Sequence, residues 1–242
     1  TSAAPFFAGL DADRLESYGY GYRLGFQYSF GRLTLGGAYL SESQLDFRNG
    51  DVTLDLSDPG FGGLGKVTYD AEMDGFAWPR QAGLGMSYRV SPRLRVAADV
   101  DWLDWKSALR TIELQLKNPD NASAPSDRTI AFPMNWEGQW VYAIGLEYEP
   151  VAGWLVRLGY NHGDSPVPDE TLTPLFPAIV EDHITAGIGS YAGPWQVDLA
   201  VEVGLEARQR NGNSDPQSNP FGIGSTERHA QVVTHFLIRR TF

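Results

Sequence analysis

From Tyr18 to Phe30 the even positions read Tyr, Tyr, Tyr, Leu, Phe, Tyr and Phe, while the odd positions hold only Gly, Arg, Gln and Ser. Successive side chains of a strand point to opposite faces, so this period of two predicts a strand with one apolar face. The pattern recurs along the chain. Residues 33–47 set Leu33, Leu35, Tyr39, Leu45 and Phe47 against Thr34, Gly36, Glu42, Gln44 and Asp46. Residues 81–90 place Leu84, Met86, Tyr88 and Val90 on one face, and 94–102 place Leu94, Val96, Ala98, Val100 and Trp102 there. Further apolar sets run at every second position from Trp140 to Tyr148, Trp154 to Tyr160, Ile184 to Ile188 and Trp195 to Leu205. A last strand, about 229–242, carries Val232, Phe236, Ile238 and the terminal Phe242. About nine antiparallel strands are predicted.

The connections alternate in length. Short ones hold Gly31-Arg32, 91–93, 150–153 and 192–194; long ones run near 48–77, 107–134, 163–181 and 210–227 and carry most of the Pro, Asn and Asp. That rhythm is expected of an all-β, up-and-down transmembrane β-barrel, with tight turns on one side of a membrane and large loops on the other. A soluble β-sandwich also alternates apolar and polar positions. Three features favour the barrel. The strands run to about 10–15 residues, where soluble strands average about 5–6 and spanning ones need about 9–11. The polar face is rich in Gly and Ser rather than the Thr, Lys and Glu of a solvated sheet. Aromatic residues, among them Tyr28, Phe30, Trp102, Trp140, Trp154 and Trp195, fall near strand ends, where amphipathic rings favour the headgroup level.

Composition narrows the picture. The chain has 242 residues, and no stretch approaches the run of about 20 apolar residues that a spanning helix needs. Its net charge of −11 carries no basic footprint for nucleic acid. With no cysteine there is neither a disulfide framework nor a thiolate metal site, and nothing in the pattern calls for a cofactor.

Strand parity adds an expectation. Single-chain bacterial barrels have even strand numbers with short turns in the periplasm. The strand ending at Phe30 enters a short turn, so it descends from outside, and the last strand also descends. Nine strands of that kind make an incomplete barrel. Residues 1–16 are then the tail of an extracellular loop, and 17–242 the C-terminal strands of a larger barrel. An overlooked strand within 51–77 or 107–130 is the alternative.

Several stretches resemble the FadL/TodX family of outer-membrane transporters for long-chain fatty acids and other hydrophobic compounds. They are "GYRLGFQYSF…LTLGGAYLSESQLDF" (21–47), "DWLDWKS" (101–107), "NWEGQWVYAIGLEY" (135–148) and "WLVRLGYNHGDSPVPDETLTPLFPAI" (154–179), in that order. The resemblance implies a fourteen-strand barrel with an N-terminal plug, in the outer membrane of a Gram-negative bacterium. It implies transport rather than catalysis: a hydrophobic small molecule, lipid or detergent is captured outside and released into the membrane. Nine of fourteen strands would begin in an extracellular loop, and the plug and lateral opening would precede Thr1. Lipopolysaccharide is an expected neighbour.

A site for such cargo is mostly apolar. Inward-facing candidates are Leu40, Leu103, Val141 and Leu155, with Phe61, Phe76, Phe132, Leu175 and Phe176 in the loops; ordinary packing is the competing role for each. A fatty-acid carboxylate would seek an arginine, and Arg23 and Arg157 point inward near mid-strand. Arg157 also lies diagonal to Glu147, so a structural ion-pair network is its alternative. A passive porin is the rival function. A barrel-embedded hydrolase is another, with His235 facing Glu202, although no G-x-S-x-G motif surrounds a serine.

Overall fold

The computed structural model describes residues 9–215 and 224–241. Phe242, the expected terminal aromatic signal, lies outside them, as do residues 1–8 and 216–223. Nine strands form one antiparallel sheet: β2 (Arg23–Phe30), β3 (Leu33–Leu40), β6 (Gln81–Ser91), β7 (Leu94–Leu103), β10 (Gln139–Val151), β11 (Trp154–Gly163), β12 (Asp182–Ala192), β13 (Trp195–Arg210) and β14 (Thr226–Arg240). Each pairs with the next of the nine in chain order, an up-and-down meander. The two-residue turn Gly31-Arg32 puts Gly31 at φ +58°, a backbone state that a Cβ disfavours. Among the described residues β2 and β14 are the two open edges and do not pair with each other.

Register lines the apolar positions up in rows. Leu24, Tyr39, Ala82, Trp102 and Trp140 are successive partners across five strands, and Phe26, Gly37, Leu84, Val100 and Tyr142 form the row beneath. This outer face is bare: Trp140, Tyr142 and Ile144 are 53%, 57% and 61% exposed. None of the buried hydrophobic residues described belongs to the nine strands. A sheet that turns most of its large apolar side chains outward is organised for hydrocarbon, not water.

The hydrophobic core lies instead in a second antiparallel sheet of β1 (Gly9–Asp13), β4 (Ser43–Leu56), β5 (Gly65–Trp78), β8 (Thr111–Lys117) and β9 (Arg128–Pro133). Val52, Leu54, Val67, Tyr69, Leu114 and Leu116 are buried there. The stretches 48–77 and 107–134, expected as long connections, are therefore largely strand. These strands pair only among themselves, so the wall sheet keeps its nine.

Two local departures have clear causes. The alternation beginning at Tyr18 becomes ladder only from Arg23. Its partner β3 ends at Leu40, and 18–22 lie beyond it, tied back by the Tyr22 N–H to Ser41 Oγ at 3.0 Å. In β13 the register shifts between Gly204 and Ala207. A bulge reverses the alternation, so Glu206, which shares the parity of Asp198 and Glu202, turns out, and Ala207 and Gln209 turn in.

Candidate hydrophobic-ligand cavity

A cavity of about 1080 Å³ lies between the second sheet and residues 170–176. β4 and β5 contribute Leu54, Leu56, Tyr69 and Met73; β8 and β9 contribute Ile112, Leu114, Ile130 and Phe132. Leu172, Leu175 and Phe176 close the opposite side. The lining is mainly hydrocarbon, with Arg128 and Glu170 as its charged members. Such a space accepts an apolar molecule by burying its surface and asks little of its polar groups.

Phe132, Leu175 and Phe176 were legible as loop candidates, and all three line this cavity. The β4, β5 and β8 residues were missed. Their signal was present in the alternation of Val52-Leu54-Leu56, Val67-Tyr69-Ala71 and Ile112-Leu114-Leu116, inside segments whose Pro and Asp content suggested loop.

The inner-face candidates lie elsewhere and do not converge. Arg23, Leu40 and Leu103 occupy a single transverse row with Gln81 and Gln139 near the long-connection end, and Val141 lies beside it, opposite Asp101. Leu155 is at the other end, in a polar recess with Arg89, Arg93, Arg95 and Arg239. Arg157 is held between two carboxylates, Nε donating to Glu147 at 2.7 Å and Nη1 to Asp198 at 2.5 Å. Arg23 makes no ion pair among the described residues. His235 does meet Glu202, at 3.1 Å, in a network that also joins His183 to Asn161 and Gln231.

A chain of rings connects the cavity with the wall. Phe176, which lines the cavity, meets Phe76, which meets Trp78, then Trp105, then Trp136, at centroid distances of 6.4, 6.1, 6.2 and 5.0 Å. Trp105 Nε1 donates to Gln139 on the inner row at 3.3 Å. Below these rings Asp104 anchors the base of the second sheet. Burial pushes its carboxyl up, but hydrogen bonds from Arg80 and Ser107 outweigh that and hold it below the usual carboxylate range. Arg48, hydrogen-bonded to Asp74 at 2.6 Å, is raised by that bond.

The profile of the family described as "Outer membrane protein transport protein (OMPP1/FadL/TodX)" matches residues 3–220. The chain belongs to this family. Its fold is similar to that of the Ralstonia pickettii toluene transporter TbuX, with a TM-score of 0.69 at 20% identity over 96% of this chain and 50% of that one. For the Pseudomonas putida toluene transporter TodX the TM-score is 0.65 at 18% identity, over 92% and 48% of the two chains. The CymD monoaromatic hydrocarbon channel matches with a TM-score of 0.67 at 22% identity, over 96% and 56%. No curated protein sequence matches. The chain thus spans about half the length of these solved FadL/TodX structures. It is an all-β, antiparallel member of the OMPP1/FadL/TodX family.

Proposed function

We propose that this FadL/TodX-family chain supports uptake of a neutral hydrophobic small molecule, of the monoaromatic hydrocarbon class, across the outer membrane of a Gram-negative bacterium. The observation that carries this reading is the hydrocarbon-lined cavity. A molecule that crosses a polar surface layer poorly gains by burial there, and the ring chain from Phe176 to Trp105 offers it a continuous apolar route toward the inner face. In this reading the second sheet and the long connections are extracellular, and the nine strands are part of a wall whose open edges, β2 and β14, accept further strands and enclose a plug. The fold neighbours titled as toluene transporters and a monoaromatic hydrocarbon channel support the choice of cargo.

A long-chain fatty acid is the other cargo of the class. Arg157, the better-placed inner arginine, already serves two carboxylates, so a third would have to displace one of them. That favours the neutral molecule. Leu40, Leu103, Val141 and Leu155 remain proposed inner-face contacts, with Phe132 the cavity contact and Arg23 a proposed polar one.

The test is displacement of a fluorescent naphthylamine from the reconstituted protein by toluene and by oleate. Toluene should compete, and Phe132→Asp should remove that competition while the heat-modifiable folded band persists on a gel. Competition by oleate alone, lost in Arg128→Ala, would replace the neutral cargo with a fatty acid.

A further inference from the structure

The outer face of the wall is not uniformly filled. Gly37 and Ala82 are diagonal neighbours in the two rows nearest the long connections, and the positions around them are large: Leu24, Phe26, Tyr39, Leu84, Trp102 and Trp140. The result is a groove of about 530 Å³ running over β2, β3, β6, β7 and β10, lined almost wholly by carbon. Small size at Gly37 is needed as the chain stands, because a Cβ there would lie 2.6 Å from the Phe26 ring and 3.0 Å from Leu84.

We propose that this groove is a binding site for one saturated acyl chain of a phosphorylated outer-leaflet glycolipid, the lipid A type. This goes beyond the transport reading and takes from it that the outer face meets lipid and that the long connections are extracellular. Three observations converge on this occupant. The groove lies in the exposed apolar face, where acyl chains are the solvent. It is a slot between rings rather than an enclosed cavity, which suits a straight, unbranched chain. Its upper end also presents an arginine with donor capacity to spare, its charge offset by Asp104 and Glu42. The Arg80 guanidinium stacks 5.7 Å from the Trp102 ring centroid, and the exposed Lys106 follows on the short helix α1 (Trp105–Ala108). Arg80 binds Asp104 through Nε and Nη2, which leaves the N–H groups of Nη1 for a headgroup phosphate. Arginine held over an aromatic ring at a membrane boundary is well placed for such a contact.

Native mass spectrometry of the whole protein, released from detergent after incubation with an equal mixture of lipid A and a zwitterionic phosphatidylethanolamine, tests the proposal. The parent should keep one lipid A. Ala82→Phe, which fills the groove without touching Gly37, should lose that adduct, and Arg80→Gln should lose the preference for lipid A over the zwitterionic lipid. Equal retention of both lipids by the parent would overturn the assignment. So would an unchanged adduct in Ala82→Phe, or a second copy of the protein in place of lipid. The heat-modifiable band reports whether each variant is folded, and Ala82→Leu provides a second, smaller way to close the groove.

Discussion

Asp104 shows how one side chain fastens the second sheet to the wall. It is 7% exposed, accepts from Arg80 at 2.8 Å, and its own carbonyl accepts from Ser107 Oγ at 3.1 Å. Its carboxyl sits below the ordinary range in the folded protein, so its contribution to stability is complete above the unfolded-state value and is lost as pH falls through the lower folded one. Asp104→Asn keeps the shape and removes the charge. Because Arg80 is half exposed, the expected loss is only about 1 kcal/mol at neutral pH. The difference from the parent should shrink at pH values below the usual carboxylate range. Urea midpoints from tryptophan fluorescence, taken across that range, check both points. A larger deficit at low pH would reject the assignment. At this scale the sequence was only partly informative. Asp104 stands in "DWLDWKS", where nothing marks it as buried or Arg80 as its partner.

At the scale of elements, the second sheet depends on close backbone approach where β5 meets β8. Gly75 lies there at φ +83°, and an added Cβ would run into the Thr111 carbonyl oxygen. Both facts oppose any L side chain. Gly75→Ala should therefore separate β8 and β9 from β5 and open the cavity floor at Ile112 and Leu114. Limited proteolysis should then cut within 107–134, while the nine-strand sheet keeps its heat-modifiable band. Cleavage equal to the parent's would show that the pairing tolerates the change. The wall strands were readable because each repeats one period over many residues. The strands of the second sheet show the same period for short runs of two or three apolar positions, between Pro-, Gly- and Asp-rich turns, so local pattern does not separate them from loop. The bulge at Gly204–Ala207 escaped for a different reason, since one inserted residue leaves the apolar content of β13 unchanged.

The whole molecule inverts the usual distribution of apolar residues. Its buried core belongs to the second sheet and the long connections, while the nine strands expose theirs. The depth of a residue in the membrane then governs what a substitution costs. Ile144 is 61% exposed near the middle of β10, and Ile144→Arg should destabilise the protein by about 2–4 kcal/mol in phospholipid vesicles. Gly145→Ser faces the other way with ordinary contact distance to Leu158, and should stay within about 0.5 kcal/mol. Urea titrations of both variants in vesicles measure the contrast. Equal effects would mean that the two faces do not meet different media.

Alternation determined most of the wall: nine strands, their order along the chain and their apolar face follow from it, although 43–47, read as the continuation of β3, starts β4 of the second sheet. The alternation of short and long connections determined their up-and-down path. The quoted stretches by themselves resemble the FadL/TodX family. Only the tertiary structure decided where the hydrophobic cavity lies, because its walls come from β1, β4, β5, β8, β9 and residues 170–176, segments far apart in the chain that no local pattern joins. It likewise decided that Arg157 is held by Glu147 and Asp198, and that Gly37 and Ala82 become neighbours in one groove. Strand formation is a local property of a few consecutive residues, whereas a cavity, an ion cluster and a groove each depend on which strands pair and in what register.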